Sequence, residues 1–89
     1  MFTSSSHVSI PRSPDVVTIL WSRNPLRPRS FRTIVDATVI GSASPCNRFL
    51  RSGQHYVDAR DCLLANGFRL VSQQRVGSVY GVAVFVRQR

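Results

Sequence analysis

The sequence predicts a small α+β domain, an antiparallel sheet with helices on one face, ordered strand, strand, helix, helix, strand, strand. Three observations support this class. β-branched runs lie in both halves of the chain, helix start and stop signals lie between them, and a glycine turn joins the last two runs. The 89 residues, 43% of them hydrophobic, provide one modest core. We therefore expect a flexible N-terminal arm over residues 1–14 and a single basic domain over residues 15–89.

Two strands are predicted in the first half of the domain. Residues 15–21 are β-branched and apolar, and residues 31–40 return to the same pattern after an interruption. The interruption, residues 22–30, contains Pro25 and Pro28, which are incompatible with a regular helix or a central strand. We expect this segment to be an extended, arginine-rich loop.

A short helix is expected to begin at Ser44-Pro45, because serine caps free backbone N–H groups and proline suits the first helical position. Cys46, Phe49 and Leu50 would then share one apolar face.

A longer helix is expected from residue 54 or 56 to residue 65. Asp58 and Asp61 lie in its first half, where the helix dipole favours negative charge. Asn66-Gly67 is a typical exit, because glycine readily adopts the left-handed conformation that ends helices.

The last two strands are predicted to form a hairpin. Residues 68–76 and 79–87 are strand-like, and Gly77-Ser78 suits a two-residue turn between them. This register pairs residue 76 with 79 and residue 70 with 85, and it places Tyr80 on the same face as Arg75. The run 79–86 is apolar on both faces and should be the more central strand.

The charged residues are all of two types. All 12 basic residues are arginine and all 4 acidic residues are aspartate, which gives a net charge of +8. A GC-rich or overprinted coding sequence would produce this bias. Selection for arginine would also produce it, because the guanidinium group binds phosphate in a bidentate manner and stacks on bases.

Cys46 and Cys62 are the two cysteines, and neither belongs to a CxxC pair. We expect buried thiols that are bonded neither to each other nor to a metal, because two cysteines do not make a disulfide scaffold and the histidines do not complete a zinc pattern. No cofactor or metal is predicted.

Catalytic patterns are missing from the sequence. His7 and His55 have no visible acid–base partner, and the Asp58/Asp61 pair is explained by its place at a helix start. The glycines form no phosphate-binding loop. An enzyme is therefore not expected.

The arginines give the most informative functional pattern. Four of them lie in a single ten-residue stretch, 23–32, at the predicted loop. Trp21 and Phe31 flank this stretch as core residues or as stacking partners for unpaired bases. A basic pair on the short helix and two residues of the hairpin extend this candidate surface. The candidate nucleic-acid-binding residues are Arg23, Arg27, Arg29, Arg32, Arg48, Arg51, Arg75 and Tyr80.

These observations favour a small, non-catalytic protein that binds DNA or RNA through its arginine-rich loop. The alternative is an accessory or inhibitor protein, of the kind that viruses and mobile elements encode, which binds an acidic surface on a host protein. No apolar run approaches the ~18–20 residues of a membrane span. We expect a cytoplasmic protein, although the serine- and arginine-rich residues 1–32 would also suit mitochondrial targeting.

Overall fold

The structure is a computed structural model that describes residues 13–27 and 31–88. These residues form a mixed α+β domain, as predicted. Most of the predicted arm at 1–14 and the candidate binding residue Arg29 lie outside the described residues. The elements are β1 (Asp15–Ser22), β2 (Thr33–Ile40), a 3-10 turn (Asn47–Leu50), α1 (Tyr56–Ala65), β3 (Arg69–Val76) and β4 (Tyr80–Arg87).

The four strands form one antiparallel sheet in the order β2-β1-β4-β3, which differs from their order along the chain. The first and last strands of the domain are thus the central pair. The prediction that β4 is more central than β3 is confirmed. Its cause is composition, because a strand that is apolar on both faces is stable only with neighbours on both sides.

The core lies against one side of the two central strands. Alternate residues of β1 and β4 are buried there, in the pattern expected for side chains that point to opposite faces of a sheet. Three residues of α1 join them in a single cluster. We call this side of the sheet the inner face and the other side the outer face. The main inner-face and helix residues of the cluster are Val17, Ile19, Trp21, Ala83, Phe85, Tyr56, Ala59 and Leu63.

The first predicted helix is wrong in kind. The chain forms only the four-residue 3-10 turn, and the Ser44–Pro45 peptide bond that precedes it is cis. The helix does not continue because residues 53 and 54 pair with the start of β2. Gly53 N–H donates to Ile34 O and Ile34 N–H donates to Gln54 O, both at 2.8 Å. Long-range backbone bonds thus override a local helix signal.

The longer helix is confirmed at both ends. It spans Tyr56–Ala65, with Asp58 in its first turn. Gly67 has a φ of +90°, the left-handed conformation expected at a helix exit. The backbone N–H groups of Asn66 and Phe68 both donate to Leu63 O and satisfy a carbonyl at the end of the helix.

The hairpin register is wrong by one residue near the turn. Val76 pairs with Tyr80, so the loop has three residues instead of two. The cause lies outside the hairpin, because Val79 O accepts a 2.8 Å hydrogen bond from the backbone N–H of Arg23. A bulge between Leu70 and Ser72 then restores the predicted pairing of residues 70 and 85. Tyr80 and Arg75 consequently lie on opposite faces, since a one-residue shift exchanges the faces of a strand.

The cysteine prediction is also wrong, because Cys46 and Cys62 form a disulfide. Their Cα atoms are 5.8 Å apart, within the usual range for a bonded pair. The 3-10 turn that follows Cys46 packs against α1, which presents Cys62 to it. This tertiary contact brings together two residues that lie 16 positions apart, which the sequence spacing did not predict.

A buried ion pair joins the two ends of the domain. The Arg87 guanidinium donates from Nε to a carboxylate oxygen of Asp15 at 2.9 Å, and Asp15 is almost completely buried. The other guanidinium nitrogens donate to the backbone carbonyls of Ser42, Ser44 and Asn66. Arg87 therefore connects β1, β4, the loop after β2 and the end of α1, and it serves the fold rather than a binding surface.

Gly81 provides the space that Trp21 occupies on the inner face. The two residues are partners in adjacent strands, and a Cβ atom at position 81 would overlap ring atoms of Trp21. We expect Gly81→Ala to lower the free energy of unfolding by about 1–3 kcal/mol, because the buried ring has little room to move. Urea denaturation would measure the change. The control is Ala65→Gly, which makes a mild backbone change at an exposed position of α1. Gly53→Ala would not serve as a control, because the φ of Gly53 is positive.

Candidate functional site

The candidate site is centred on Arg32, whose guanidinium carbon lies 5.1 Å from the ring centroid of Trp21 and 4.6 Å from that of Tyr56. Both rings are buried in the core. The backbone holds Arg32 in place, because Tyr56 N–H donates to Arg32 O at 2.9 Å. Thus the segment before β2 and the start of α1 position one arginine over two aromatic rings.

Three further arginines surround this position. Arg23 follows β1, with its guanidinium carbon 5.8 Å from the Trp21 ring centroid. Arg75 belongs to the inner face of β3, since it pairs with Gly81, which in turn pairs with Trp21. Arg60 extends from α1. We call Arg23, Arg32, Arg60 and Arg75 the arginine cluster.

The charges of the other three arginines act on the pKa of Arg32. Burial lowers the pKa of Arg32, the electron-rich Tyr56 opposes that shift, and the positive charges of Arg60, Arg23 and Arg75 lower it further. Like charges held together in this way destabilise one another unless an anion lies between them. The cluster is therefore suited to bind a negatively charged group.

The two rings beneath Arg32 add a second unusual feature. Within the described residues, Trp21 Nε1 and Tyr56 Oη are buried and have no hydrogen-bond partner. Burial raises the pKa of the Tyr56 hydroxyl, against the opposing charges of Arg32 and Arg60, so it remains a donor. Most buried polar groups are paired, so these two unpaired donors beneath Arg32 are an unusual feature of the core.

Carboxylates neutralise little of the positive charge of the arginine cluster. Asp61 lies 3.2 Å from Arg60, and both side chains are partly exposed, so this ion pair is weak. In the part of the chain that the structure describes, the other three arginines have no carboxylate within 4.0 Å.

Phe31 is next to Arg32 in the chain and is 71% exposed. Its ring contacts His55 edge-on, with the two ring centroids 4.9 Å apart. An exposed aromatic ring therefore borders the cluster.

The structure brings together three of the eight residues predicted for the site, namely Arg23, Arg32 and Arg75. Arg75 belongs to the cluster although the predicted hairpin register was wrong. Tyr80 lies on the outer face, on the side of the sheet opposite the cluster. The other described candidates, Arg27, Arg48 and Arg51, are exposed and lie elsewhere, with Arg48 over the ring of its neighbour Phe49. Of the two flanking aromatics, Trp21 is core and Phe31 is exposed.

Two residues of the site were missed by sequence reasoning. They are Arg60 and Tyr56, which belong to the predicted longer helix and are not among the candidate binding residues. The helical spacing from 56 to 60 placed both on adjacent positions of one side of α1, which is a usable signal once the arginine of another segment is known to lie there.

Comparisons with protein-family models, with curated proteins and with solved structures find no match to this chain. The interpretation of the arginine cluster therefore depends on its own geometry. Among the described residues, no group of histidine, cysteine and acidic side chains could hold a metal ion. The described part of the chain also includes no helix that is long and apolar enough to span a bilayer.

Proposed function

We propose that the protein binds nucleic acid without catalysis, and that the arginine cluster is the main contact. The observation that supports this most strongly is the convergence of four arginines on one end of the inner face, where, among the described residues, only Arg60 has a carboxylate within 4.0 Å. A polyanion would relieve their mutual repulsion. Arginine suits this role because its planar fork donates two parallel hydrogen bonds to a phosphate.

The mechanism of binding is phosphate neutralisation. Arg75 pairs with Gly81, and Arg23 follows β1 with its guanidinium carbon 5.8 Å from the Trp21 ring centroid, so both offer a charge to a phosphate backbone at this end of the inner face. Arg32 holds its charge on a rigid aromatic base, which lowers the conformational entropy that it loses on binding. Phe31, exposed next to Arg32, provides a ring on which an unpaired base could stack. No group in this arrangement reads base identity, so binding is proposed to be independent of sequence.

The test compares two variants of equal charge. In the first, Arg23, Arg32, Arg60 and Arg75 are changed to glutamine, and in the second, Arg27, Arg48, Arg51 and Arg69 are changed instead. Affinity for a labelled oligonucleotide is measured by fluorescence anisotropy over a range of salt concentrations. We expect the log–log salt slope of the cluster variant to be shallower than that of wild type by up to about 3–4, because each phosphate contact releases counterions.

The control variant should retain most of the wild-type slope, because its four arginines are exposed and dispersed over the surface. Loss of Arg32 packing could affect folding, so Arg23→Gln/Arg75→Gln, which leaves Arg32 in place, provides a second and milder cluster variant. Circular dichroism verifies that each variant is folded. Equal losses in the two quadruple variants would reduce the binding to general attraction between a +8 protein and any polyanion.

A second candidate function is favoured by the disulfide. Disulfides persist mainly in oxidising compartments, whereas cytosolic thiols are kept reduced. A protein that works in an oxidising compartment, and not in the cytoplasm that the composition suggested, would more often meet acidic protein surfaces than nucleic acid. The same arginine cluster would then bind such a surface. Equal losses in the oligonucleotide assay, together with capture of one stoichiometric protein after nuclease treatment, would support this function.

A further inference from the structure

The outer face of the sheet is apolar along both central strands. β1 and β4 present only apolar or hydroxyl-bearing side chains there, and none of them belongs to the core cluster. Ile40 and Val76 extend the apolar surface onto the edge strands and are 59% and 55% exposed. The central residues of the outer face are Val16, Thr18, Leu20, Ser22, Tyr80, Val82, Val84 and Val86.

We propose that this outer face is a self-association surface, through which two copies of the chain pack sheet against sheet as a β-sandwich. A strand that is apolar on both sides is typical of a sheet that is covered on both sides. Here the buried side chains of α1 belong to the cluster on the inner face. The second copy would cover the outer face.

The size of the face agrees with a dimer. Four strands about 4.8 Å apart, each of eight residues that rise about 3.4 Å, provide roughly 500 Å² per copy. Sheets that cross at about 90° overlap over a square of roughly 19 Å, so two copies together would cover about 700 Å², which is the size of a weak, reversible interface. The apolar part of this face lies on the two central strands, and the outer side chains of the edge strands are mostly polar.

The charges on the outer face favour a second copy over a polyanion. The chain carries +8, but the strand residues of the outer face include one acid, Asp36, and one base, Arg69. Asp36 lies beside Leu20 on β2 and Arg69 lies beside Val86 on β3, so they are at diagonally opposite corners. Sheets that pack face to face at about 90° about a diagonal two-fold axis can place Asp36 of one copy near Arg69 of the second copy.

This arrangement also keeps the arginine clusters apart. Arg75 belongs to the inner face, and the other cluster members lie around Trp21 on that side. Two copies joined through their outer faces therefore hold their clusters on opposite sides of the dimer. The proposal is independent of the nature of the ligand that the cluster binds.

Analytical ultracentrifugation of the full chain tests the proposal. We expect wild type to sediment as a dimer, twice the 10.0 kDa chain, in the micromolar range. Val84→Glu places a charge at the centre of the outer face and should yield monomers. Leu64→Glu, at an exposed apolar position of α1, is the matched control and should leave the dimer intact.

A charge exchange keeps the test decisive if Val84→Glu fails to fold. Asp36→Arg should weaken the dimer at least tenfold, because two arginines then face each other across the interface. The double variant Asp36→Arg/Arg69→Asp should restore it. A wild-type chain that remains monomeric at every concentration would overturn the proposal, and so would a dimer that Val84→Glu leaves folded and unchanged. In either case residues 1–12 or a different protein would have to be considered as the cover.

Discussion

Replacement of Arg87 by glutamine is expected to lower the free energy of unfolding by about 3 kcal/mol or more. The substitution removes the charged Nε donor that binds the Asp15 carboxylate at 2.9 Å, in a place where only 2% of the Asp15 side chain is exposed. It also removes the donors to the carbonyls of Ser42, Ser44 and Asn66. A small domain has little stability in reserve, so the variant should unfold at a much lower urea concentration.

Arg51→Gln is the matched control for this experiment. It removes the same charge from an exposed position outside the strands, and its effect should remain within about 0.5 kcal/mol. Asp15→Asn should also destabilise, and the double variant Asp15→Asn/Arg87→Gln should cost less than the sum of the two single changes, because the residues interact directly. Additive effects would show that the pair makes no specific contribution.

Local patterns predicted most of the secondary structure. The β-branched runs, the proline-broken loop and the Asn66-Gly67 exit depend on propensities of neighbouring residues, and the structure places four strands and one helix close to the predicted positions. The predictions that were wrong concern features that depend on contacts between residues far apart in the sequence. Arg23 fixes Val79 and lengthens the hairpin loop, and the start of β2 pairs with Gly53 and Gln54 and shortens the first helix to a 3-10 turn.

The candidate site was predictable only where local sequence patterns reveal it. Arg23 and Arg32 stand out because acids are missing from their part of the sequence. Arg60 and Tyr56 appear ordinary until the start of α1 is placed against the segment before β2, where Tyr56 N–H donates to Arg32 O. Conversely, Arg87 adds to the net charge like any other arginine, yet the fold uses it to bind Asp15.

The disulfide provides the second large expected effect. Cys46→Ala/Cys62→Ala should lower the free energy of unfolding by about 3 kcal/mol, because closing a loop of about 15 residues restricts the unfolded chain by that amount. The disulfide also holds the 3-10 turn against α1, where Cys46 is buried. Urea denaturation of wild type with and without a reductant should show a corresponding decrease in midpoint.

The double variant itself provides the control, since its denaturation midpoint should not respond to the reductant. Alkylation of the folded protein, purified without reductant, followed by mass spectrometry should detect no free thiol at Cys46 or Cys62. Two modified cysteines and an unchanged midpoint would contradict the disulfide and return both residues to the role of buried thiols.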